Sequence, residues 1–162
     1  MRSGLTQTRC IFASMSRWKG DVAMAFLLNP SFEDGVGPWQ PENIPNAVAL
    51  TTFGGGLPRS GSFVLAALTN TAGGSFRQDF PCNNQSVFTF AWVRAWTDPV
   101  AAQFTIWDGG RSISSFFTAT QEWAFITNTL GLSNPGQMRD VRFEIYIHTP
   151  NAWLLVDSAN AF

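Results

Sequence analysis

His148 is the only histidine in the chain, and Cys10 and Cys82 are its only cysteines. Imidazole bases and thiol nucleophiles or metal ligands are therefore few. A zinc site would need both cysteines, His148 and a carboxylate, with no CxxC-type pairing to gather them, so it is set aside. A Ser-His-Asp or Cys-His hydrolase would have to use His148 as its base. No GxSxG or comparable nucleophile turn accompanies it, and His148 reads as a surface residue at a strand end. Gly54-Gly55-Gly56 followed by Leu57-Pro58 lacks the lysine and helix of a phosphate-binding loop. A glycosidase or lyase needs two carboxylates about 5–9 Å apart. Glu144 is the only acidic residue expected mid-strand on an open face, and it has no partner to name. The chain reads as a non-enzyme.

Other residue types fit ligand binding better. A pyranose is held by an aromatic ring against its CH face and by amides, carboxylates or arginine at its hydroxyls. Arg94, Trp96, Gln103, Trp107, Arg142, Glu144 and Tyr146 have these chemistries and fall on outward strand positions. Large rings also make core and protein–protein contacts. The set is therefore a candidate carbohydrate- or partner-binding surface.

The elements that must position these residues are strands. From residue 24 onward the apolar period is close to two, and helical spacing is nearly absent. Strands are expected at 25–28, 47–52, 62–68, 74–80, 86–96, 100–107, 111–117, 122–130, 138–148 and 153–162. Asp108-Gly109-Gly110 is a hairpin signal between two of them. Along 141–148, Val141, Phe143, Ile145 and Ile147 share one side, and Arg142, Glu144, Tyr146 and His148 the other. Along 100–107, Ala102, Phe104 and Ile106 point inward, and Gln103, Thr105 and Trp107 outward. The strand 86–96 is apolar on both sides, so a loop, a ligand or another subunit must lie over its outer face. Nine or ten short strands at this spacing make a sandwich or barrel.

Composition agrees. The 162 residues include 15 Phe and 7 Trp against 10 basic and 11 acidic side chains, with a net charge of −1. That excludes disorder, and the length allows one domain with or without a tail. No run approaches the ~18 consecutive apolar residues of a spanning helix, so no membrane partner is expected. Two cysteines far apart do not fix the compartment.

Charge divides the chain in two. Residues 1–23 carry Arg2, Arg9, Arg17 and Lys19 against Asp21, and residues 24–162 carry six arginines against ten carboxylates. The body has no basic face for nucleic acid. Met1 to Ala23 also lacks the apolar core of a signal peptide. Three readings of this basic segment stand side by side: an extended arm that orders on a neighbouring subunit, an extension ahead of a start at Met15 or Met24, and a targeting sequence. Residues 24–162 form the expected domain.

Asn29-Pro30-Ser31-Phe32-Glu33-Asp34-Gly35, followed by Trp39, resembles the opening "NxxFExG…W" of carbohydrate-binding modules of the family 4/9 type. Arg59-Ser60-Gly61-Ser62, Ser75 to Phe80, Val87 to Arg94, Trp123 and Trp153 to Asp157 resemble later landmarks of that family, in order, over nearly all of residues 26–162. The resemblance implies a jelly-roll β-sandwich of two antiparallel sheets, galactose-binding-like, here preceded by the N-terminal arm. It also implies a structural Ca²⁺ joining the first and last strands, with Glu33 and Asp157 as its acidic ligands. The family usually has a second acidic residue where Ser158 follows Asp157.

Two functions fit this reading, the first as the main expectation and the second as its alternative. One is a non-catalytic structural or attachment protein of a virion-type assembly, such as a phage capsid decoration or tail accessory protein. Such proteins often reuse glycan-binding-like sandwiches, and the chain would then contact other subunits as a homo-oligomer or with capsid and tail proteins. The other is a stand-alone, calcium-stabilised glycan-binding module, which would place the chain outside the cell instead of in a virion.

Overall fold

The computed structural model describes residues 27–50 and 56–162. The basic segment 1–23 lies outside them, as do residues 25 and 26 of the first expected strand. Residues 27 and 28 of that strand form bends, not a ladder.

Ten strands are present among the described residues. They are β1 (Gln40–Glu42), β2 (Asn46–Leu50), β3 (Val64–Thr69), β4 (Gly74–Cys82), β5 (Ser86–Ala95), β6 (Val100–Trp107), β7 (Ser112–Ala119), β8 (Ala124–Gly131), β9 (Arg139–Ile147) and β10 (Ala152–Ala161). Nine of them fall where alternation places strands. β1 is the exception, since three residues around Pro41 offer no alternation to read.

The strands form two five-stranded antiparallel sheets, in the orders β1-β4-β9-β6-β7 and β2-β3-β10-β5-β8. They make a jelly-roll β-sandwich. Between the sheets lie the residues that the period of two turns inward: Phe76 and Phe80 of β4, Ala102, Phe104 and Ile106 of β6, and Val141, Phe143, Ile145 and Ile147 of β9. Facing them are Leu65, Val87, Val93, Leu154 and Val156.

The opening segment caps one end of this core. Trp39 is buried against Phe32 and Phe143, with ring centroids 5.3 and 5.4 Å away, and its indole N–H donates to the Asn29 carbonyl. Asn29 closes the loop around itself. Its Nδ2 donates to the carbonyls of Gly35 and Gly37, and its Oδ1 accepts from the Asp34 N–H. The Asn, Phe and Trp of the opening motif are thus folding residues.

The outer faces of the two sheets differ in character. That of the β2-β3-β10-β5-β8 sheet is largely apolar. Val64, Ala66 and Leu155 are fully buried there, with Trp96, Trp123 and Trp153 packed against them. A loop covers part of β5, because the Arg59 guanidinium lies 4.2 Å from the centroid of the Trp92 ring. Phe88 and Phe125 remain exposed beside Phe90. The outer face of the other sheet is polar and holds a groove.

Candidate functional site

The groove runs across β6, β7 and β9. Gln103, Thr105 and Trp107 reach it from β6, and Arg142, Glu144 and Tyr146 from β9. Ser112 and Ser114 of β7 and His148 beyond β9 complete a lining of about 560 Å³. The ladder explains the grouping. Gln103 stands opposite Tyr146, Thr105 opposite Glu144 and Trp107 opposite Arg142. Adjacent strands with matched alternation present their outward side chains as one plane.

Five of the seven expected binding residues therefore come together: Gln103, Trp107, Arg142, Glu144 and Tyr146. Arg94 and Trp96 do not. Arg94 pairs with Leu155 on the opposite sheet, where Trp96 packs at 5.4 Å on Trp153. Alternation assigns each residue a side of its own strand, but two sheets present two outer faces, and β5 belongs to the other one. His148 does more than end a strand. Its Nε2 lies 3.3 Å from Gln103 Oε1, and its ring stacks 5.9 Å from that of Phe116.

At the floor is a carboxylate that is only 3% exposed. Glu144 accepts hydrogen bonds from the Ser75 hydroxyl at 2.5 Å and the Tyr146 hydroxyl at 2.8 Å. Burial, with the Glu144 hydrogen bond second, pushes the Tyr146 phenol up to about 12. Beside this pair, Arg142 holds Asp79 by two bonds, Nε to Oδ1 at 2.8 Å and Nη2 to Oδ2 at 3.2 Å. The Asp79 bond raises the guanidinium pKa, which stays charged regardless. The Trp107 ring lies over this guanidinium, 5.4 Å from centroid to Cζ. Gln103, Thr105 and Ser114 continue the polar floor through a chain of hydrogen bonds at 3.0 and 2.9 Å.

Ser75, Asp79 and Phe116 escaped sequence reasoning. Ser75 and Asp79 stand opposite Tyr146 and Arg142 in the β4–β9 ladder, and only that pairing marks them. Phe116 stands next to Phe117, so hydrophobicity alone does not tell which of the two faces outward; it lies opposite Gln103, on the side of Ser112 and Ser114, and is 76% exposed.

The groove hairpin is anchored by Asp108, a buried carboxylate immediately after Trp107. Its Oδ1 accepts from the Gly110 and Arg111 N–H groups, and its Oδ2 from the Ser133 N–H at 2.6 Å and from Arg139 at 3.3 Å. Burial opposes its ionisation. The Ser133, Arg111 and Gly110 amides and the Ser133 hydroxyl outweigh that, holding the carboxyl well below the usual range.

Glu33 and Asp157 do converge, on the segment that precedes β3. Asp157 Oδ2 accepts from the Ser60 N–H at 2.8 Å, and its Oδ1 from the hydroxyls of Ser60 and Ser158 at 3.2 Å each. Burial raises the Asp157 carboxyl, and these bonds oppose the shift. Glu33 Oε1 accepts from the N–H groups of Ser62 and Phe63 at 2.8 and 3.1 Å. Calcium takes six to eight oxygen ligands. Here the carboxylate lone pairs face N–H and O–H hydrogens, and no group of three or more His, Cys, Asp and Glu gathers among the described residues. A Ca²⁺ bound here would have to take these carboxylate oxygens from their N–H and O–H donors. The two carboxylates clasp the loop themselves.

No family model and no curated protein matches the sequence. Solved structures share the fold. A TmCBM61 module in complex with β-1,4-galactotriose superposes with a TM-score of 0.71 at 14% identity, over 86% of this chain and 99% of that one. The CBM22-1 xylan-binding domain of Paenibacillus barcinonensis Xyn10C gives 0.65 at 16% identity, over 94% and 96%. The enzymatically active domain of bacteriophage CBA120 tailspike protein 4 gives 0.67 at 10% identity, over 85% of this chain and 21% of that one. The chain has the jelly-roll fold of carbohydrate-binding modules.

Proposed function

We propose that the chain is a non-catalytic glycan-binding module, with its ligand lying across the outer face of the β1-β4-β9-β6-β7 sheet. The observation that carries this is a polar floor, Ser75–Glu144–Tyr146, set between two exposed rings. Trp107 is 42% and Phe116 76% exposed. Phe116 lies four residues along β7 from Ser112, which stands opposite Trp107. At a strand rise of ~3.4 Å per residue the two platforms are about 14 Å apart. That is farther than one sugar ring reaches, so a ligand touching both is an oligosaccharide.

The ligand is expected to be neutral. Arg142 is engaged by Asp79 and Arg77 by Glu42 at 3.0 Å, so both arginines of this face already have carboxylate partners. A uronate or sulfate would meet the Glu144 carboxylate, and the Arg142 guanidinium beside it is already held by Asp79. The β-1,4-galactotriose and xylan of the two module neighbours belong to this neutral class, and fold likeness to them supports the reading by analogy.

An attachment role in a virion, with binding rather than cleavage as the contribution of this domain, is a narrower form of the same proposal. The tailspike neighbour supports it. Titration calorimetry against neutral β-1,4-linked oligosaccharides of increasing length tests the main reading. Affinity should rise until the ligand spans both platforms and fall in Trp107→Ala. Absence of binding to any neutral glycan by the intact protein would overturn it.

A further inference from the structure

We propose that two copies of this chain associate through β8, edge to edge across a two-fold axis. β8 is the outer strand of its sheet, with β5 as its only ladder partner among the described residues. Its sequence, AFITNTLG, carries no charge and no proline. Nor does that of β7, SISSFFTA, which ends the other sheet. Natural sheets usually protect such edges with lysines, prolines or bulges, because an open row of N–H and C=O groups templates another strand. Here neither edge has that protection, and both lie on one side of the sandwich, where Ser115 Oγ of β7 donates to Asn128 Oδ1 of β8 at 2.6 Å.

The backbone says which groups are open. Phe88, opposite Thr129, exchanges both of its backbone bonds with Phe162 on its other side, at 3.0 and 2.9 Å. The Leu132 N–H donates towards the β5 side, to Gln85. Even-numbered residues of β8 thus turn their N–H and C=O to β5. Phe125, Thr127 and Thr129 turn theirs to the open edge. Their side chains are exposed as well.

The occupant that this edge fits is its own copy. Antiparallel pairing about Thr127 is self-complementary in hydrogen bonds: Thr127 meets Thr127 of the second copy, and Phe125 meets Thr129 in both directions. No charge repels its equivalent. The exposed Phe88 and Phe125 patches, which the sugar groove does not use, become continuous across the axis, as the apolar centre of an interface requires. The same axis brings the two β7 edges opposite one another.

Sedimentation equilibrium of the full chain, with amide hydrogen exchange on the same samples, tests this. A mass twice 17.8 kDa is expected, with the Phe125, Thr127 and Thr129 amides protected in the dimer and exposed on dilution. Thr127→Lys, which sets like charges face to face, should weaken association about 100-fold. Thr127→Pro should do the same without touching the β5 ladder, because that N–H is not used within one copy. A chain that stays monomeric at every concentration, a dimer indifferent to Thr127→Lys, or β8 amides that exchange freely in the dimer would each overturn the proposal. Because the groove lies on the other sheet, loss of sugar binding would leave these readouts unchanged.

Discussion

Arg142 joins the two halves of the groove: its guanidinium is bonded twice to Asp79 and lies beneath the Trp107 ring at 5.4 Å. The ring is thereby held by a charge that is itself fixed, so the platform is oriented before any ligand arrives. Trp107→Ala should lower affinity for a neutral oligosaccharide by about 10–100-fold, with only a modest fall in melting temperature, since the residue is 42% exposed. Arg142→Lys keeps the charge but loses the two-point contact. A smaller loss of affinity is expected from it, about 3–10-fold. Calorimetry on the two variants checks both values.

Tyr146 is the only tyrosine in the chain, so its titration can be followed by phenolate absorbance without ambiguity. The phenol should ionise near pH 12, not near its ordinary ~10, because burial and the hydrogen bond to Glu144 favour the neutral form. The sign of the linkage follows. With the folded value raised, this stabilisation is complete below pH ~10 and is lost as the pH climbs towards 12. Tyr146→Phe removes it and leaves Glu144 with one donor fewer, at a cost of about 1–2 kcal/mol. Ionisation at the ordinary value in the folded protein would contradict the Tyr146–Glu144 contact.

Much of this architecture was legible because a period of two is a strong signal wherever one strand face is buried. Val141 to Ile147 and Ala102 to Ile106 declare their inward sides, and Arg142, Glu144, Tyr146, Gln103 and Trp107 follow as the outward set. What alternation cannot carry is sheet membership. Arg94 and Trp96 have the chemistry of the groove but sit on β5, whose neighbours are β10 and β8. That order arises from long-range pairing, with no local signature. The burial of Glu144 was hidden for the same reason. Its cover comes from Ser75 on β4, sixty-nine residues away. Glu33 and Asp157, implied as calcium ligands, both bond the loop before β3, but the amides that they accept from belong to residues 60–63, whose backbone direction no composition reveals.

The hairpin that carries Trp107 depends on Asp108. Replacing it with alanine leaves the Gly110, Arg111 and Ser133 amides and Arg139 without their acceptor, and should cost about 3 kcal/mol at neutral pH. Because the folded carboxyl is held below its unfolded value of ~3.9, its stabilisation is present above pH 4 and is lost as the pH falls further. Thermal unfolding of the wild type should therefore shift down below pH 4 more steeply than that of Asp108→Asn. Parallel acid slopes for the two proteins would remove Asp108 from this role.

Gly61 shows how closely the loop is fitted to the Glu33 carboxylate. Its φ is +60°, and a Cβ placed there would lie 2.2 Å from Glu33 Oε1, the atom that accepts the Ser62 and Phe63 amides. Gly61→Ala thus imposes the left-handed conformation on a residue with a side chain and displaces the carboxylate from both donors. The combined loss should be about 3 kcal/mol. Glu33→Ala alone loses the two bonds. In the double variant the steric part disappears, so the two costs should fall short of additive by 1 kcal/mol or more. Since protein donors satisfy Glu33 and Asp157, the melting temperature of the wild type should be the same in EDTA and in millimolar calcium. A rise of several degrees with calcium would show that a cation displaces these amides and that the clasp is a metal site in its empty form.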